Sequence, residues 1–152
     1  MKVFLFIPII LAFLVSTACR NEEKKEIVAR RVVTFDNTPA KRPYTPAIEV
    51  NNTLYVSGQI AVDRSTGKLI EGGIEEQARQ VLKNLKNVIE KAGYSMENIA
   101  KCTVLLTDIS TYAAVNQIYM EFFPSDPPAR VAFAVKDLPM GALIEIDAIA
   151  VR

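Results

Sequence analysis

The segment LIEIDAIAV, residues 143–151, constrains this chain more than any other. It has the length and apolar content of a strand, and a strand sends alternate side chains to opposite faces. Ile144, Ile146, Ala148 and Ala150 then share one face; Leu143, Glu145, Asp147, Ile149 and Val151 share the other. The first face is wholly apolar and asks for a layer of helices. The second mixes two carboxylates with large apolar groups, which fits neither a plain core nor a plain solvated surface. Such a sheet needs a cover on both sides, and self-association is the economical one. Upstream, PPARVAFAV carries Arg130 into a second strand-like segment. A charge in a covered place needs a partner, a ligand or an interface, because desolvation alone is costly.

The rest of the chain supplies the expected layers. Ala78, Val81, Leu82, Leu85, Val88, Ile89 and Ala92 recur at helical spacing, predicting a helix from Ile74 to Ala92 that Gly93 ends. A second helix, capped by Asp108 or Ser110, runs through Phe123, and Pro124 follows it. VVTF at 32–35, a hairpin turning at Asn51–Asn52 and KCTVLLTD at 101–108 read as strands. STGK reads as a turn and Lys136–Asp137 as a solvated bend. DNTPAKRPYTPA holds three prolines and can be neither a regular helix nor a central strand. The order β-β-β-α-β-α-β-β predicts an α+β fold with two helices on one face of a mixed sheet.

The amino terminus is of another kind. Lys2, an apolar run from Val3 to Val15 and the small residues Ser16, Thr17 and Ala18 lead to Cys19 and a charged stretch. This is a secretory signal layout, with a run too short for an ordinary spanning helix. The approach to Cys19 resembles a bacterial lipoprotein processing site, which implies residues 1–18 as signal peptide and an acylated Cys19 as first mature residue. Cleavage after Ala18 leaving a free cysteine, and an uncleaved anchor, are the rival readings. Residues 19–31 are charged, lack an apolar period and read as a tether, leaving a domain over 32–152. The expected location is the bacterial cell envelope, by lipid anchor or in the periplasm.

Composition narrows the chemistry. The 152 residues carry a net charge of +1 and no histidine. Near-neutral charge gives no footprint for nucleic acid, and acid–base work falls to carboxylates, tyrosine, cysteine or water. Cys19 and Cys102 make no metal spacing. Cys102, amid alternating strand residues, reads as a small core hydrophobe rather than a thiolate. On pattern alone Glu145 and Asp147 are as readily interface carboxylates, and Arg130 their structural partner, as they are catalysts. Ser57 lacks a histidine base, so a hydrogen-bonding wall or a bulge suits it better than a nucleophile.

Taken together, VSGQIAVDRSTGKL, EEQARQVLKNLKNVIEKAG, VNQIYMEFF and PPARVAFAVKDLPMGALIEIDAIAV resemble the Rid family of reactive intermediate deaminases, also called YjgF-like. The resemblance spans residues 32–152, and its most specific part is Pro-Ala-Arg with Ile-Glu-Ile fifteen positions on. It implies a chorismate-mutase-like fold assembled as a homotrimer, with a cleft between each pair of adjacent subunits. It implies hydrolysis of enamines and imines of small 2-amino acids to 2-keto acids and ammonia, without metal or organic cofactor. Arg130 matches the arginine that grips the substrate carboxylate, a task suited to a bidentate guanidinium. Glu145 matches the glutamate that activates the attacking water. Tyr44, Ser57, Gly58 and Asn116 match cleft residues, and the Ala132 carbonyl can orient the imine nitrogen. Two departures stand out: Arg42 precedes Pro43-Tyr44 where the family commonly has glycine, and Ala132 replaces the cysteine of the archetypal branch. The alternative is a non-catalytic envelope module that binds small carboxylates or a protein.

Overall fold

The computed structural model describes residues 29–35 and 43–152; the signal segment, Cys19 and Arg42 lie outside them. The described residues form eight strands: β1 Arg30–Val33, β2 Ala47–Val50, β3 Thr53–Gln59, β4 Val62–Asp63, β5 Lys68–Leu69, β6 Ile99–Leu106, β7 Ala129–Ala134 and β8 Ile144–Val151. Two helices, α1 Ile74–Lys91 and α2 Tyr112–Phe122, complete the α+β architecture. The main sheet has six strands in the order β1-β2-β3-β8-β6-β7. Only the β6–β7 pair is parallel, because α2 carries the chain back between them.

The alternation expected of β8 holds. Ile144, Ile146, Ala148 and Ala150 are buried, while Glu145, Asp147 and Ile149 between them are half-buried. Leu54 and Val56 of β3 and Val104 and Leu106 of β6 extend the same apolar face. Val81, Leu82, Leu85, Val88 and Ile89 of α1, with Val115, Ile118 and Tyr119 of α2, complete this core. Burial of each such side chain contributes roughly 1.5–3 kcal/mol, so the core rather than helix propensity fixes both helices. Arg79 of α1 forks onto Glu121 of α2 and ties the helices at their exposed edge.

Local chemistry sets the ends. The Gly73 N–H donates to the Glu76 carboxylate at 2.9 Å, satisfying an orphan donor at the start of α1. Gly93, at φ +86°, takes the left-handed conformation that stops it. Asp108 accepts from the Ser110 N–H at 2.8 Å and opens the 3₁₀ turn before α2. The STGK turn joins a small ribbon, β4–β5, and Asn84 of α1 anchors it by donating to the carbonyls of Ile60 and Val62.

One boundary moves. β1 starts at Arg30, two residues inside the segment read as tether, and ends at Val33. Arginines do not announce a strand, but Arg31 lies opposite Glu49 and pairs with it at 2.7 Å, which makes the strand position favourable. Among the described residues no helix is long and apolar enough to cross a membrane. The sheet face away from the helices exposes Tyr55, Val131, Phe133 and Val151.

Candidate active site

Glu145 stands near the start of β8 on the face turned away from the helices. The neighbouring strand in the sheet is β3, whose register with β8 slips between Val56 and Gln59. The slip is a bulge at Ser57–Gly58, and it brings the Glu145 side chain directly over Gly58. A Cβ at position 58 would stand 1.7 Å from the carboxylate Oε1. A side chain at 58 would displace the Glu145 carboxylate, so glycine lets the carboxylate lie where it does, and Ser57-Gly58 is more than a packing irregularity. The Ser57 hydroxyl donates to the Thr45 carbonyl at 2.6 Å and its N–H to the Pro46 carbonyl at 3.0 Å. These bonds fasten the segment holding Tyr44 against the bulge.

The outcome is a cleft of about 330 Å³ lined by Tyr44, Ser57, Gly58, Ile60, Pro139 and Glu145. No hydrogen bond to the Glu145 carboxylate is formed by any of the described residues. Partial burial pushes its pKa above the ordinary 4.5, and the nearby Asp147 charge adds to the rise. A carboxylate so placed is a stronger base than an exposed one, with oxygens free for a water.

Arg130 belongs to a second group. It lies opposite Cys102 on β6, whose side chain is buried on the helix side, and it reaches α2. Its Nη2 donates to the Asn116 Oδ1 at 2.6 Å and to the Tyr112 hydroxyl at 2.8 Å. The guanidinium also rests 4.6 Å from the centre of the Tyr119 ring. Ala132, two positions along β7, is half-buried against the core on the same side.

The expected site residues thus fall into two sets. Tyr44, Ser57, Gly58 and Glu145 share the cleft; Arg130 and Asn116 are bonded together at the β7 edge, with Ala132 beside them. Within one chain Arg130 and Glu145 do not share a cleft. β6 separates their strands, and their side chains leave the sheet on opposite faces. Cys102 is buried, and burial pushes its thiol up to about 11, so it stays a protonated core group. Sequence reasoning missed Tyr112, Ile60 and Pro139. Tyr112 had a usable signal: on a helix, positions 112 and 116 are one turn apart and share a face.

Comparison with known proteins agrees with this fold. Residues 35–152 match the family described as Endoribonuclease L-PSP. The human protein named 2-iminobutanoate/2-iminopropanoate deaminase is 45% identical over 124 residues, covering 81% of this chain and 90% of that one. Its mouse namesake is 43% identical over 126 residues, covering 82% and 93%. Among solved structures, a Rid-family protein of unknown function, YyfA from Yersinia pestis, superposes with a TM-score of 0.77 at 44% identity, covering 82% of this chain and 100% of that one. The YjgF gene product of E. coli superposes at 0.74 with 38% identity, covering 80% and 98%. With residues 35–152 matched and relatives 43–45% identical over more than four-fifths of its length, the chain belongs to the Endoribonuclease L-PSP family, which includes the Rid and YjgF proteins.

Proposed function

We propose that the chain is a 2-iminobutanoate/2-iminopropanoate deaminase, working as a homotrimer in which each site joins the Glu145 cleft of one subunit to the Arg130 edge of the next. The observation that carries this reading is the partly buried Glu145 carboxylate, bonded to none of the described residues and lodged over Gly58, in a chain 45% identical to a protein bearing that name. A water held by Glu145 attacks C2 of the imine while the carboxylate accepts its proton. Glu145 passes that proton to the nitrogen, giving the carbinolamine; the hydroxyl proton then follows through Glu145 to the nitrogen as C–O becomes C=O, the C–N bond breaks and ammonia leaves. One imine and one water thus give one 2-keto acid and one ammonia. Arg130 holds the substrate carboxylate, so binding orients C2 towards the water. An imine carbon is already electrophilic, which is why orientation and a polarised water suffice without histidine.

The trimer also answers the covering of the sheet face that bears Tyr55, Phe133 and Val151. We further propose that residues 1–18 are a lipoprotein signal and that acylated Cys19 fastens the domain to the cell envelope. Mass spectrometry of the native amino terminus tests this, and an intact Met1 or a free Cys19 refutes it. The enzymatic reading is tested by supplying imines of alanine and leucine from an amino acid oxidase. Faster loss of imine with protein than with buffer supports it; equal rates refute it and leave a binding module.

A further inference from the structure

Arg130 as it stands cannot form a two-pronged bond to a carboxylate. Nη2 carries two hydrogens, and two acceptors already sit on it, the Asn116 Oδ1 at 2.6 Å and the Tyr112 hydroxyl at 2.8 Å. Both bidentate geometries draw on Nη2, side-on with Nε or end-on with Nη1. A carboxylate that docks on the fork must therefore displace one acceptor. Asn116 is half-buried and makes the shorter bond; Tyr112 is 40% exposed and at the first position of α2, so Tyr112 is the one that yields.

Once displaced, the Tyr112 hydroxyl can still serve the anion, because a hydroxyl both accepts and donates. While it accepts from Arg130, the Tyr112 O–H makes no donor bond to any of the described residues. We infer that Tyr112 is a further substrate-binding residue: its hydroxyl exchanges the bond from Arg130 for one given to the substrate carboxylate, adding a neutral third donor to the guanidinium fork. Without ligand the hydroxyl satisfies the guanidinium; with ligand it satisfies the anion. Asn116 keeps the far side of Nη2 throughout and fixes the plane of the fork. The ligand class follows from the chemistry: small 2-imino or 2-oxo acids with an unmodified carboxylate. This rests on the deaminase reading for the substrate but not for the anion clamp.

The experiment compares wild type with Tyr112→Phe, which keeps the ring and deletes only the hydroxyl. Steady-state imine hydrolysis is measured together with calorimetric binding of 2-oxobutanoate, the keto acid that 2-iminobutanoate gives. Because the hydroxyl gives up its bond from Arg130 as it donates to the anion, only the difference counts, and KM and the 2-oxobutanoate Kd should each rise roughly threefold, with kcat within about twofold and melting temperature unchanged. If KM and Kd stay the same or fall, the hydroxyl merely occupies Arg130 and the inference is overturned. A fall in kcat alone overturns it equally. Should wild type hydrolyse no imine yet bind 2-oxobutanoate more tightly than the variant, the clamp stands and the deaminase reading falls. Should wild type hydrolyse imines as fast and as tightly as the variant, the reverse holds.

Discussion

Two glutamates on the same sheet have opposite circumstances. Glu49 on β2 is 6% exposed and accepts from three donors: the Arg31 Nε at 2.7 Å, the Tyr94 hydroxyl at 2.8 Å and the Arg152 Nη2 at 2.9 Å. Glu145 on β8 is more open and accepts from none of the described residues. Their acidities follow. Hydrogen bonds from Arg31 and then Tyr94 hold Glu49 below the ordinary carboxylate value, against the effect of burial. Burial and then Asp147 push Glu145 above it. Burial is common to both, so the partners decide the sign. Arg31 also donates to the Ala92 carbonyl at 2.7 Å and Arg152 to the Gly93 carbonyl at 3.3 Å, at the carboxyl end of α1. The Glu49 cluster thus fastens the first strand and the last residue to the end of that helix. A carboxylate with every bond met holds structure together; one left with free oxygens in a cleft is available for chemistry.

Exchanging each carboxylate for its amide sharpens the contrast most. Glu145→Gln keeps the size and removes the base, so kcat for imine hydrolysis should fall by roughly 10²–10⁴ while the melting temperature holds. Loss of folding with no loss of turnover per folded molecule would erase the distinction. The next effect in size is at position 58. Gly58→Ala puts a methyl where the Glu145 carboxylate lies, and a displacement on the order of 1 Å should cost about a hundredfold in kcat. Wild-type rates in that variant would mean that the carboxylate position is immaterial.

Glu49→Gln should do the reverse of Glu145→Gln. It breaks two ion pairs and weakens the bond to the Tyr94 hydroxyl, but both arginines retain access to water. The expected loss is about 2 kcal/mol of stability, several degrees of melting temperature, with kcat preserved. The smallest effects are in pH dependence. Because the Glu49 pKa is depressed on folding, its contribution is complete above the unfolded value near 4.5 and is lost as pH falls through the lower folded value. Acid unfolding of wild type should therefore be steeper below pH 4.5 than that of Glu49→Gln. The Glu145 base works ionised and its pKa is raised in the free protein, so the acid limb of kcat/KM should have its midpoint above 4.5. A limb at or below that value would remove Glu145 from the role of base.

Much of this was legible beforehand. Strict alternation in LIEIDAIAV gave the two faces of β8, because a strand under helices admits no other register for its apolar set. The apolar stripe of α1 and its stop at Gly93 were equally plain. The distribution of Arg130 and Glu145 over two faces was not, because alternation orders residues within a strand but not between strands. That relation depends on β6 lying between β7 and β8 and on the parallel pairing of Cys102 with Arg130. The Glu49 cluster was hidden for a similar reason: Arg31, Glu49, Tyr94 and Arg152 come from four distant stretches, none of which has a pattern of its own. The glutamate–glycine approach at position 58 needed the bulge in β3, which Ser57-Gly58 announced only as a kink.

The central claim is that a working site takes Glu145 from one subunit and Arg130 from its neighbour. Subunit mixing tests it most directly: Arg130→Ala and Glu145→Gln chains, each inactive alone, are co-expressed with different tags and the mixed trimers purified. Whichever chain is in excess, every mixed trimer has one cleft of its three with both intact residues, so activity should return to about a third of wild type. If both residues act from the same chain, no mixed trimer contains an intact site. Activity no higher than that of the two parent proteins would contradict the account.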